Sequence, residues 1–209
     1  MTMPLGMFPL STVLFPRAGL PLHVFEDRYR ELMAHCMNGD GEFGVVLIAR
    51  GSEVGGGDQR VGVGTVARIA NVAELGDGRL LVVATGVRRV RVDRWLPDDP
   101  YPVALVADLP DDPSADDGTT LAGTEFAVRR LRSLLSEMGD VPALPHNLRI
   151  TGDEEDVGWQ LCDMAPLNPL DLQRLLATGG RMARMQLLTE LCNAMAEDVT
   201  TMLADGLSE

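Results

Sequence analysis

The chain contains no lysine: all 18 of its basic side chains, among 209 residues, are arginines. A P-loop needs a phosphate-binding lysine, a Schiff-base enzyme needs a side-chain amine, and a serine–lysine peptidase needs lysine as its base. None of the three can be assembled here. Aromatic residues are scarce at 4%. Cysteine is limited to Cys36, Cys162 and Cys192, an odd number, widely spaced and without a CxxC pair. That pattern predicts reduced thiols and not a disulfide framework. Long apolar runs are missing too, because residues 45–49 and 80–84 fall far short of the roughly 20 that a membrane span needs. The first sixteen residues lack a basic region and are broken by Pro4, Pro9 and Pro16, so no secretory signal is expected. A cytoplasmic protein with no membrane association is the resulting expectation.

Charge is lopsided. The net charge is −13, and residues 1–113 hold 15 acids against 11 arginines, while the remainder hold 16 against 7. The two parts therefore carry −4 and −9. Nucleic-acid backbones are bound chiefly by neutralising phosphates with cations, so this balance argues against nucleic acid as a partner and for solubility as the use of the acids.

What is present falls into two styles. From residue 7 to 109, short Val- and Leu-rich runs are punctuated by Gly, Pro and Asp, which predicts strands and turns. The clearest hairpin joins 61–73 to 80–95 across Gly76-Asp77-Gly78, whose Asp-Gly supplies a positive φ. One helix interrupts the strands at 26–37, with Tyr29, Leu32, Met33 and Cys36 at helical spacing and Asn38-Gly39 as its stop. The stretch 110–118 is crowded with acids and turn formers and marks a boundary, giving domains 1–113 and 114–209. Beyond it, Val128, Leu131, Leu134, Leu135 and Met138 predict an amphipathic helix ending near Gly139. Asp153, Glu154, Glu155 and Asp156 suit the first turn of another. Asn168-Pro169 caps a short third, which ends at Gly179-Gly180. Met185, Leu188, Cys192, Met195, Val199 and Met202 form a heptad-like seam on the last and longest, to be packed inside its own domain.

Several motifs invite a chemical reading and fail it on their surroundings. Gly62-Val63-Gly64-Thr65-Val66-Ala67 matches a dinucleotide fingerprint, but the sequence continues as strand where a helix must begin, so the glycines are read as a bend or bulge. Gly55-Gly56-Gly57 lacks the Lys-Ser/Thr of a phosphate loop and is read as a loop tip. His23, His35 and His146 have no metal spacing, and Asp111, Asp112, Asp116, Asp117 and 153–156 form no calcium loop. Ser52 sits among glycines but not in a GxSxG elbow. Arg88, Arg89, Arg91 and Arg94 beside Trp95 alternate between two strand faces, with Asp93 among them, and are read as salt-bridged strand residues. No catalytic residue, cofactor or metal is expected.

One resemblance covers most of the chain. Met7-Phe8-Pro9-Leu10, Val13-Leu14-Phe15-Pro16, Leu20-Pro21-Leu22-His23-Val24-Phe25-Glu26 with Arg28-Tyr29, Phe43-Gly44-Val45-Val46, Val63-Gly64-Thr65-Val66-Ala67 and Gly86-Val87-Arg88-Arg89-Val90 together resemble the N-terminal, substrate-binding domain of the Lon protease family. The resemblance implies an α+β fold, with a PUA-like β pseudobarrel followed by an α-helical bundle, used to engage polypeptide substrates and to help assemble an oligomer. The chain departs from the family in stopping before any ATPase module, in having no lysine for a Walker A motif or a serine–lysine dyad, and in placing Arg17-Ala18-Gly19 after Phe15-Pro16 where the family has an immediate glycine. A stand-alone bacterial member is therefore expected.

Together these readings predict a non-catalytic module that binds unfolded or exposed apolar polypeptide segments as an adaptor or holdase, with a separate ATP-dependent protease as a candidate partner and homo-oligomerisation left open. The binding surface is expected to be shallow and apolar, near the junction of the two domains, with Phe25 and Tyr29 as its candidate contacts. The alternatives are an RNA-binding PUA-like protein, a structural or oligomerising module, and a hydrolase with a hidden triad.

Overall fold

The computed structural model describes residues 2–50, 59–111, 119–142, 144–145 and 148–206. The Gly55–Gly57 run, Ser52, Asp112, Asp116, Asp117 and His146 lie outside the described residues. The chain divides into two compact units, Met1–Pro110 and Asp111–Glu209. Its mixed α+β character follows from their contents, strands with one helix in the first and helices in the second.

The first unit runs β1 (Met3–Leu10), β2 (Gly19–Val24), α1 (Asp27–Met37), β3 (Glu42–Arg50), β4 (Gln59–Glu74), β5 (Leu80–Trp95) and β6 (Val103–Asp108). The hairpin read from Gly76-Asp77-Gly78 is formed by β4 and β5, which pair antiparallel from Val63↔Arg91 to Glu74↔Leu80. Gly78 takes φ +81 at its turn. The Asp77 carboxylate accepts from Arg79, and that contact holds it below the usual carboxylate range.

On the edge away from β4, β5 serves two neighbours in turn. Its first half, from Leu80 to Thr85, pairs with β2, and its second half, from Val90 to Trp95, pairs with β6. β6 continues to β1, β1 runs parallel to β3, and β3 pairs with β4. The pairings β1–β3–β4–β5–β6 thus close on themselves, whereas among the described residues β2 is bonded to β5 alone and ends the strand order. A closed circuit removes the sheet edges that would otherwise be open, so β2 carries the exposed one.

Alternation fills the interior. Leu5, Met7, Val46, Val66, Val90, Ala104 and Val106 form one buried cluster, and burying each large apolar side chain stabilises by roughly 1.5–3 kcal/mol. The glycines of the 62–67 motif lie in β4. A Cβ on Gly64 would run into the Val45 carbonyl, and one on Gly86 into that of Phe15, so both serve close strand approach. Of the β5 arginines, Arg88 and Arg91 are salt-bridged as expected, whereas buried Arg89 donates to the Pro110 carbonyl at 3.4 Å. Glu42, buried, receives Arg68 at 2.6 Å and Arg88 at 2.7 Å, Arg88 also meets Asp108 at 2.9 Å, and Arg91 meets Asp93 at 2.9 Å. Three strands meet at the Glu42 carboxylate, and Arg88 links a fourth.

The second unit holds α2 (Thr119–Met138), α3 (Glu154–Met164), α4 (Pro169–Ala177) and α5 (Arg181–Gly206). Gly139 adopts φ +83 just past α2. Asp153 caps α3 by accepting from Asp156 N–H, and Asn168 caps α4 by accepting from Leu170 and Asp171 N–H. α2 packs on α5, where Thr124 and Thr189 hydroxyls meet at 2.9 Å. The α5 seam needs correction. Met185, Leu188, Cys192 and Val199 are buried, but Ala196 takes the place expected for Met195, and Met202 is 64% exposed. The α1 stop falls where expected, with Asn38 as the C-cap after Met37, and a positive φ follows at Gly41.

Candidate functional site

β2 has two faces and one open edge, and all three carry unusual side chains. On the outer face, strand register aligns Pro21 with Val83 and Asn71, and His23 with Leu81 and Ala73. All six residues are exposed, Leu81 at 45% and Val83 at 47%. On the inner face Leu20 and Val24 are buried. The result is an apolar sheet surface without a charged side chain in those two rows.

Along the edge of β2 lies a groove of about 260 Å³, lined by Phe8, Leu10 and Thr12 on one side and by Leu20–Val24 of β2 on the other, with Phe25, Glu26 and Tyr29 at one end. Phe8 and Tyr29 stack at 4.1 Å between ring centroids, with planes 18° apart. The Arg28 guanidinium sits 4.5 Å above the Tyr29 ring and is held by Glu26 at 3.1 Å. This stack is fixed by packing: Tyr29 is 4% exposed. Phe25, between β2 and α1, is 53% exposed and has His23 at 6.3 Å between ring centroids. The structure therefore places the two candidate contacts on one groove, Tyr29 in its wall and Phe25 at its rim. Every lining residue belongs to the first unit.

Leu81 and Val83 were not singled out from sequence, though a signal exists. Residues 80–84 read Leu-Leu-Val-Val-Ala without a polar residue. An antiparallel strand covered on one face alternates, so burying Val82 and Ala84 forces Leu81 and Val83 outward. Such a run in a one-sided sheet marks a contact surface.

The three cysteines are buried as free thiols. Burial pushes the Cys36 thiol up to about 11, with Asp40 adding to the effect, and its Sγ donates to the Glu42 carbonyl at 3.2 Å. Burial likewise raises Cys162 and Cys192 to about 12. A thiol is a nucleophile only as thiolate, and burial disfavours that form at all three. Among the described residues no group of three or more His, Cys, Asp or Glu side chains is placed to hold a metal ion. No helix among them is long and apolar enough to cross a membrane.

A closed strand circuit beside an apolar, uncharged edge strand defines a fold of mixed α+β type. Comparison with known proteins makes it specific: the chain belongs to the family described as the ATP-dependent protease La (LON) substrate-binding domain, whose model matches residues 4–194. It is 29% identical over 202 residues to Lon protease 2 of Myxococcus xanthus, covering 92% of this chain and 24% of that protein. It is 26% identical over 163 residues to the Lon protease of Desulfosudis oleivorans, covering 76% and 19%. The chain thus spans a quarter or less of these curated relatives. Among solved structures, a Lon N-terminal domain protein from Xanthomonas campestris matches with TM-score 0.64 and 28% identity, over 89% of this chain and 96% of that one. The N-terminal domain of a Mycobacterium avium complex Lon protease shares the fold, with TM-score 0.60 at 16% identity over 91% and 98%.

Proposed function

We propose that this chain is a non-catalytic, cytoplasmic module that recognises unfolded or exposed apolar polypeptide segments on the β2 surface, as an adaptor or holdase. The carrying observation is the pair Val83 and Leu81, exposed in register with Pro21 and His23 and continuous, through those two residues, with the groove that Phe25 rims. Contiguous apolar surface left in solvent on a sheet is the feature by which folded proteins recognise other chains. Family membership supports the reading, since polypeptide is what a protease substrate-binding domain meets. The missing lysine supports the non-catalytic part. The circuit of strand pairings supports a PUA-like pseudobarrel for the first unit, and α2–α5 support a helical bundle for the second. A separate ATP-dependent protease fits as the partner to which captured chains are passed.

Titration calorimetry of the full chain against reduced, carboxymethylated lactalbumin tests this. Binding is expected, and Leu81→Ser/Val83→Ser, which alters only exposed side chains, should weaken it at least about tenfold, or 1.4 kcal/mol. Undiminished affinity in that variant would contradict the assigned surface, and no binding of the parent at high micromolar concentration would contradict the function.

A further inference from the structure

The groove beside β2 has a shape that selects among ligands. Its wall includes five consecutive β2 residues, Leu20 to Val24, and no residue of β5, the one strand to which β2 is bonded. Successive side chains of a strand point to opposite faces. A cavity touching five in a row therefore meets the strand along its edge, and along the edge that β5 leaves open.

Among the described residues, that edge carries main-chain groups without a partner. Just ahead of β2, Gly86 N–H donates to the Ala18 carbonyl at 2.9 Å. Antiparallel ladders alternate bonded and non-bonded pairs. Counting on from Ala18, the N–H and C=O of Leu20, Leu22 and Val24 point to β5, and those of Pro21 and His23 point into the groove. Pro21 agrees with this phase, because it has no N–H to give and its register partner Val83 asks for none. The open edge thus offers the His23 N–H with the Pro21 and His23 carbonyls. Sheet edges are ordinarily guarded by charge, by bulges or by proline. Gly19–Val24 contains no charged residue, and its one proline removes a single donor while leaving an acceptor.

We propose that an extended polypeptide segment adds to the sheet here as a strand on β2, bonded to the main chain of Pro21 and His23, with one apolar side chain set down beside Phe25 and the Phe8–Tyr29 stack. The volume suits this occupant: about 260 Å³ accommodates one or two side chains and lies below the roughly 300–1,000 Å³ of small-molecule pockets. Main-chain bonding also explains recognition without sequence preference, since every polypeptide carries the same amides and only an unfolded one has them free. This inference rests on the polypeptide-binding reading and adds the mode of binding to it.

The test uses the full chain and a fluorescein-labelled nine-residue peptide of alternating Leu and Thr, read by anisotropy. Two derivatives carry N-methyl groups on the Leu amides or on the Thr amides, which caps one strand edge or the other without altering a side chain. One derivative should bind at least about tenfold more weakly, and the other should stay within about threefold of the parent. His23→Pro, which removes the outward donor, should bind at least about fivefold more weakly than His23→Ala, which loses the same side chain and keeps the donor. Equal binding of both derivatives and the parent would overturn strand addition and leave polypeptide binding standing. So would failure of the parent peptide while carboxymethylated lactalbumin still binds. Failure of both ligands would remove the functional reading as well.

Discussion

Arg17 shows how a single residue preserves a conformation that its side chain disfavours. It adopts φ +68, the only positive φ outside glycine among the described residues, and its N–H donates to the Gly86 carbonyl at 2.8 Å. Left-handed backbone costs an L-residue roughly 1–2 kcal/mol, and a β-branched one more. The family resemblance implies a glycine after Pro16, and at Arg17 the backbone keeps the conformation a glycine would adopt. Arg17→Gly should therefore be within about 1 kcal/mol of the parent in urea denaturation, because relief of strain offsets the entropy that glycine adds to the unfolded chain. Arg17→Val should be less stable than Arg17→Gly by at least about 1 kcal/mol; equal midpoints would show that the turn is not held left-handed. Other residues were open to reading beforehand for the same local reasons. Asn168 caps α4, Asp153 caps α3 and Gly78 turns the hairpin because each effect acts within three or four residues of its cause.

At the scale of elements, sequence reading succeeded where contacts are local and failed where they are distant. The β4–β5 hairpin and the α1 face formed by Tyr29, Leu32, Met33 and Cys36 were both legible. The parallel pairing of β1 with β3, from Met7↔Gly44 to Leu10↔Leu47, was not. It joins segments separated by β2 and α1, and no turn chemistry announces it. The α5 seam failed for another reason. A repeat of 3.5 residues places Met195 and Met202 in line, but a straight helix turns once in 3.6, drifting about 20° per heptad. That drift rotates both methionines toward the rim and brings Ala196 inward. The outward turn of Leu81 and Val83 was legible in principle from the unbroken apolar run, had the strand's covered face been known. Glu42 joins β3 to β4 and β5, and through Arg88 to β6. Glu42→Ala should cost roughly 1–3 kcal/mol in urea denaturation, the Arg68 and Arg88 ends being partly solvated and so worth less than fully buried partners. A loss below about 0.5 kcal/mol would show that the network contributes little to stability.

At the scale of the whole molecule, charge and surface point the same way. With a net charge of −13, and with Arg88 and Arg91 already engaged by carboxylates, the chain offers polyanions little. What it offers is uncharged: a sheet face of Pro21, Leu81, Val83 and Ala73, and an edge whose hydrogen bonds any extended chain can complete. Apolar and main-chain recognition is nearly indifferent to salt, whereas phosphate binding weakens by orders of magnitude between 50 and 200 mM. The most direct measurement is the affinity of the full chain for lactalbumin in native and in reduced, carboxymethylated form, each at those two salt concentrations. The account predicts that the unfolded form binds, that the native form does not, and that added salt changes the affinity less than about twofold. Equal binding of both forms, or a steep fall with salt, would contradict it.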